Sequence, residues 1–87
     1  MPTVHIPSAL RSISGGVEKF DIEGETLRDV IAALDRQIPG IAEHLTEGDG
    51  LARGLAVSID GQMSSRGLWA RVNPDSDVHF LPAIGGG

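Results

Sequence analysis

Residues 26–40, Thr26-Leu27-Arg28-Asp29-Val30-Ile31-Ala32-Ala33-Leu34-Asp35-Arg36-Gln37-Ile38-Pro39-Gly40, decide how the rest of the chain is read. Leu27, Val30, Ile31, Leu34 and Ile38 recur at the spacing of one helical face, so a helix is predicted from about Leu27 to Gln37. Thr26 is its natural N-cap, because a hydroxyl oxygen there can accept from an otherwise unpaired amide of the first turn. Asp29, three residues on, can return a bond in a capping-box-like arrangement and sets a carboxylate against the positive end of the helix dipole. Pro39-Gly40 stops the helix.

Working outward toward the N-terminus, Thr3 to Pro7 alternates, with Val4 and Ile6 on one face and Thr3 and His5 on the other, the pattern of a half-buried strand. Ser14-Gly15-Gly16 marks a turn, and Val17 to Ile22 places Phe20 and Ile22 on a common face. The two runs are expected to pair antiparallel across a long loop. Toward the C-terminus, Ile41 to Leu45 suggests a short second helix, and the polar, Gly-rich Thr46 to Gly50 reads as a flexible loop. Leu55, Val57 and Ile59 alternate with Ala56, Ser58 and Asp60, giving a strand that ends at an Asp60-Gly61 turn. Residues 62–72 show no decisive period. Asn73-Pro74-Asp75-Ser76 has Pro at the second position favoured in a type I turn, and Val78 to Ala83 follows as the last strand.

Strand, strand, helix, loop, strand, last strand is the order of an α+β domain whose main helix packs across one face of a mixed sheet, as in the β-grasp architecture. Residues 1–84 are expected to form that domain and residues 85–87 a flexible glycine tail. With 87 residues, the chain has room for one modest core and none for separate catalytic and binding domains. The 40% hydrophobic content and 22% charged content are those of a folded chain. The absence of cysteine removes disulfides, thiolate metal sites and thiol nucleophiles. No leader pattern opens the chain, and no stretch approaches the roughly twenty apolar residues of a membrane span, so a cytoplasmic protein is expected. A net charge of −5 argues against sequence-independent nucleic-acid binding and favours a basic protein partner.

Few residues suggest side-chain chemistry. His5 and His79 fall on outer strand faces and His44 on a short surface helix, all expected to be exposed, and their spacing forms no metal motif. No serine sits in a Gly-x-Ser-x-Gly elbow, and Gly15-Gly16 joins strands rather than opening a helix on a phosphate. An enzyme acting alone is therefore not expected. The lone Trp69 is expected in the core. The C-terminus is different: Phe80-Leu81-Pro82-Ala83-Ile84 runs directly into Gly85-Gly86-Gly87. Three extended residues reach roughly 10 Å, and glycines, lacking Cβ, can thread a narrow channel in a partner. Pro82 stiffens the exit. Leu81, on the face opposite Val78 and Phe80, belongs either to an exposed apolar patch with Pro82 and Ile84 or to a second small core under residues 62–72. A bare glycine run by itself reads first as a frayed end, and it is the apolar segment leading into it that shifts the balance.

Several of these segments resemble the MoaD/ThiS superfamily of β-grasp, ubiquitin-like sulfur carriers, and within it the CysO-like branch. Ile6-Pro7-Ser8-Ala9-Leu10-Arg11 with Ser14-Gly15-Gly16 is similar to that branch's strand end and turn. Gly24-Glu25-Thr26-Leu27 with Val30, Ile31 and Leu34 is similar to its helix entry, and Leu81-Pro82-Ala83-Ile84-Gly85-Gly86-Gly87 to its ending. The resemblance implies that Gly86-Gly87 is the family diglycine, with Gly85 in place of the usual Ala or Ser. It further implies that a partner related to the ubiquitin activators, an adenylyltransferase using ATP, activates the Gly87 carboxyl. Sulfur transfer would then make a C-terminal thiocarboxylate, which a sulfur-accepting biosynthetic enzyme receives. Leu81, Pro82 and Ile84 would dock partners, Gly85 and Gly86 would thread the partner's site, and the chain would be a monomer or enter transient hetero-complexes. Residues 60–77 depart from the family, with Asn73-Pro74-Asp75-Ser76 in place of a Gly-Asp turn. A molybdopterin synthase small subunit, a ubiquitin-like modifier conjugated through Gly87, and a scaffolding module with an incidental tail remain as other readings.

Overall fold

The helix anticipated at residues 27–37 is where the sequence places it, and the sheet is built around it. The computed structural model describes residues 1–82. In chain order these hold β1 (Thr3–His5), β2 (Lys19–Asp21), α1 (Leu27–Gln37), α2 (Ile41–Leu45), β3 (Thr46–Glu47), β4 (Gly50–Leu51), β5 (Leu55–Ile59), β6 (Gln62–Met63) and β7 (Asp77–Pro82). Five strands form one sheet in the order β2-β1-β7-β5-β6. β1 and β7 run parallel at its centre and the other neighbours run antiparallel, which makes the sheet mixed. This is the β-grasp arrangement.

Helix α1 forms for the reasons its sequence gives. Leu27, Val30 and Leu34 are fully buried and Ile31 nearly so, each removing an apolar side chain from water against the sheet. The Asp29 amide donates to Thr26 Oγ1 at 3.3 Å, capping the first turn. A further orphan amide, that of Leu27, donates to the Ala70 carbonyl at 2.9 Å, and Val72 N–H donates to the Glu25 carbonyl at 2.9 Å. The segment 62–72, undecided in sequence, thus runs beside the helix entry and closes it. It also contains β6 and a single 3-10 turn at Gly67–Trp69. Leu68, Ala70 and Val72 join the same core as α1, so the second small core considered for Leu81 does not form.

At the other end of α1, Asp35 Oδ1 accepts the amides of Gly40 at 3.1 Å and Ala42 at 3.0 Å, carrying the chain into α2. Gly40 sits at φ 97°, a left-handed conformation that suits glycine.

Two expectations are corrected, those for Thr46 to Gly50 and for Trp69. Thr46 to Gly50 is not a loose loop: β3 and β4 pair as a small hairpin, with Thr46 opposite Leu51. The loop between β1 and β2 is ordered by a 3-10 turn at Ser8–Leu10, and buried Ser14 donates its hydroxyl to the Val17 carbonyl at 2.8 Å. Trp69 is 66% exposed rather than in the core, because Leu68 occupies the inward position of that turn, and the Arg28 guanidinium lies 5.8 Å from the indole centroid. The last strand extends to Pro82, with Ala83 outside the described residues.

Candidate functional site at the end of the last strand

Alternation along β7 sends Val78 and Phe80 into the core and Asp77, His79 and Leu81 to the open face of the sheet. Leu81 lies opposite Ala56 and is 36% exposed, and Pro82 lies opposite Leu55 at the strand's exposed end. Of the residues expected to dock a partner or carry its chemistry, Leu81 and Pro82 are thus brought together at the root of the tail. Ile84, Gly85, Gly86 and Gly87 lie outside the described residues.

Around that root the surface is concave, a groove of about 780 Å³ that wraps over the end of the sheet. One wall is the segment Ile6 to Arg11, which continues the parallel partner β1; the other is Ala52 to Leu55, which leads into the antiparallel partner β5. Its floor is apolar where Phe80, Leu55 and Leu10 reach it. Its rim is basic, with Arg11, Lys19 and Arg53 set against the carboxylate of Glu18. All three histidines of the chain also line it.

Sequence reasoning missed this convergence. His5 and His79 are register partners on the parallel strands β1 and β7, and their rings stack with centroids 3.8 Å apart and planes 6° from parallel. The expectation of exposed histidines therefore holds for His44 alone, while the stack leaves His5 and His79 half-buried. The signal was present in the alternation, which puts both on the open face, once the two strands are known to be neighbours. Nothing comparable announced Arg53, which reaches the groove from a turn.

The stack is not a metal centre. Imidazole lone pairs lie in the ring planes, so parallel rings cannot aim them at one point between the faces, and His5 Nε2 is already 3.1 Å from Asp77 Oδ1. Among the described residues no group of three or more His, Cys, Asp or Glu side chains is placed to hold an ion. Nor, among the described residues, does the groove pair a nucleophile with a base by a hydrogen bond. What it provides is a partly apolar seat with a charged rim, positioned at the end of β7.

The sequence profile of the ThiS family matches residues 4–87. The sulfur carrier protein CysO of Mycobacterium bovis is 31% identical over 90 aligned positions, spanning 98% of this chain and 97% of the relative. Among solved structures, the crystal structure of the Amycolatopsis orientalis BexX/CysO complex contains a chain that superposes with a TM-score of 0.90 at 30% identity, each chain covered in full. Mycobacterium tuberculosis CysO superposes at 0.87 and 30% identity, over 97% of this chain and all of its own.

Proposed function

The chain belongs to the ThiS family, and from that premise we propose that it is a CysO-like sulfur carrier whose working group is the C-terminal carboxyl of Gly87. The observation that supports this most is the end-to-end likeness to sulfur carrier proteins, which includes the segment that follows β7. Within such a protein the fold's task is presentation. β7 is held by β1 as far as His79 and by β5 as far as Pro82, so the chain reaches Pro82 in a fixed direction.

A free carboxylate is a poor electrophile and must be activated before sulfur can be attached. In the proposed cycle, a partner adenylyltransferase joins the Gly87 carboxylate to the α-phosphate of ATP, releasing pyrophosphate and leaving an acyl-adenylate. Hydrosulfide, or an equivalent sulfur donor held by a partner, attacks the carbonyl carbon; the C–O bond to AMP breaks as the C–S bond forms. The product is a thiocarboxylate, a sulfur store that requires no cysteine, in keeping with a chain that has none. A biosynthetic enzyme, of cysteine or another sulfur metabolite, then accepts the sulfur. ATP belongs to the activating partner and this chain is the substrate of both, which accords with residence in the cytoplasm. Gly85 and Gly86 thread the partner's active site while Leu81, Pro82 and Ile84 dock against its entrance.

Pyrophosphate release by a candidate activating enzyme tests this directly. The wild-type chain is expected to stimulate it, and chains lacking Gly86-Gly87 or extended by one residue after Gly87 are not. Equal stimulation by all three would return the tail to an incidental end. A ladder of heavier conjugates that disappears with Gly86-Gly87 would instead mark a protein modifier.

A further inference from the structure

We propose that the partner surface receiving the tail is lined with carboxylates, so that the carrier docks through a basic collar although the chain as a whole is acidic. The proposal rests on the carrier reading given above. Net charge alone, −5, points to a basic partner. The distribution of charge points the other way. Three of the seven Lys and Arg side chains, Arg11, Lys19 and Arg53, line the groove at the root of the tail, against one carboxylate, Glu18.

Strand register explains how the asymmetry arises. Lys19 pairs with His5, and His5 with His79, toward the end of the sheet where β7 exits. One step back along the same open face, Asp21 pairs with Thr3, and Thr3 with Asp77. Asp60 binds the Asp77 amide at that same end. The sheet therefore carries Lys19 at the tail end, beside Arg11 and Arg53 of the flanking segments, and carboxylates at the other, so a partner approaching the tail meets the positive end first. Such separation steers encounter and orients it.

The cations of the collar are also available. Arg11 meets Glu18 at 3.4 Å and Arg53 meets Glu47 at 3.8 Å, both between solvent-exposed side chains. Pairs of this kind hold weakly and exchange readily for better-placed acceptors. Lys19 makes no ion pair among the described residues. The Leu81 face and the apolar floor of the groove supply the burial, and the collar supplies direction.

The test is steady-state loading of Gly87 by the activating partner, followed as the KM and kcat of the carrier. The double variant Lys19→Glu, Arg53→Glu is expected to raise KM about tenfold or more with kcat little changed, and the milder Lys19→Gln, Arg53→Gln to fall between. Wild-type KM should rise as salt is taken from about 50 to about 300 mM, because exposed charges are screened. Arg66→Glu, at the far edge of the sheet beyond β6, should leave KM within about twofold. Unchanged urea midpoints establish that the variants are folded. Wild-type KM in both double variants at every salt concentration, with Gly87 still loaded, overturns the basic collar and leaves the carrier reading standing. No loading of the wild type overturns the carrier reading, and the collar with it.

Discussion

Asp60 turns the chain between β5 and β6 at φ 53°, a left-handed conformation that aspartate tolerates better than most residues, and Gly61 follows at φ 82°. Its carboxylate accepts the Asp77 amide and the Ser76 hydroxyl, each at 2.8 Å, fastening that turn to the start of β7. The amide bond first, then the hydroxyl, lowers the Asp60 pKa below its ordinary 3.8. A carboxyl whose folded pKa lies below its unfolded one adds stability that is fully present above the unfolded value and disappears as pH falls through the folded value. Asp60→Asn keeps the tolerance for this backbone and removes the charge. It is expected to lower the urea midpoint at pH 7, and the gap from wild type should narrow as pH falls below the ordinary carboxyl range and close once the folded Asp60 carboxyl is itself protonated. Gly24 is constrained differently: at φ 158°, a Cβ would stand 2.6 Å from Val30 Cγ2 and 2.8 Å from the Val30 amide nitrogen. Gly24→Ala should therefore cost about 1–3 kcal/mol in urea unfolding, since the helix backbone itself has to move. Trp69→Ala should cost at most about 1 kcal/mol, because the indole is largely in water and loses mainly its contact with Arg28.

Among the elements, α1 carries the core and β7 carries the proposed docking residues. Leu34→Ala, at a fully buried position on α1, should destabilise by about 2–5 kcal/mol. Leu81→Asp on β7, at a position already open to water, should change stability by no more than about 0.5 kcal/mol. It should nevertheless weaken loading of Gly87, because the change falls on the proposed docking surface, and parallel unfolding and loading assays separate the two effects. How far these elements could be read beforehand depended on how local their causes are. Thr26, the period-3.6 apolar positions and Pro39-Gly40 fix α1 within one segment, and alternation with a turn at either end fixes β5 and β7. Residues 62–72 were unreadable because their order comes from elsewhere: the Glu25 carbonyl and the Leu27 amide hold them against the helix entry. The Thr46 to Leu51 hairpin is likewise too short to show a period. At the site, Leu81 and Pro82 followed from alternation and from the resemblance to sulfur carriers. The histidine stack and the arginines of the groove required knowing that β1 runs beside β7 and that the turn before β5 closes over the end of both.

The molecule as a whole is a β-grasp scaffold that holds the end of β7 in a partly apolar, basic seat. Among the described residues the core cluster is drawn from residues 4–80, and in the carrier role proposed above the glycine tail has no part in it. Deleting Gly86-Gly87 is accordingly expected to leave the thermal midpoint within about 2 °C of wild type while abolishing loading, a separation readable by calorimetry beside the pyrophosphate assay. The central claim, that Gly87 carries sulfur, is tested most directly by intact-protein mass spectrometry after incubation with ATP, a sulfide source and the activating enzyme. Replacing one carboxyl oxygen by sulfur adds about 16 mass units, which methionine oxidation also adds, so fragmentation has to place the change. The account predicts a gain of about that size confined to Gly87 and absent from the chain lacking Gly86-Gly87. An unmodified Gly87, in the presence of an enzyme that loads a CysO relative under the same conditions, would contradict it.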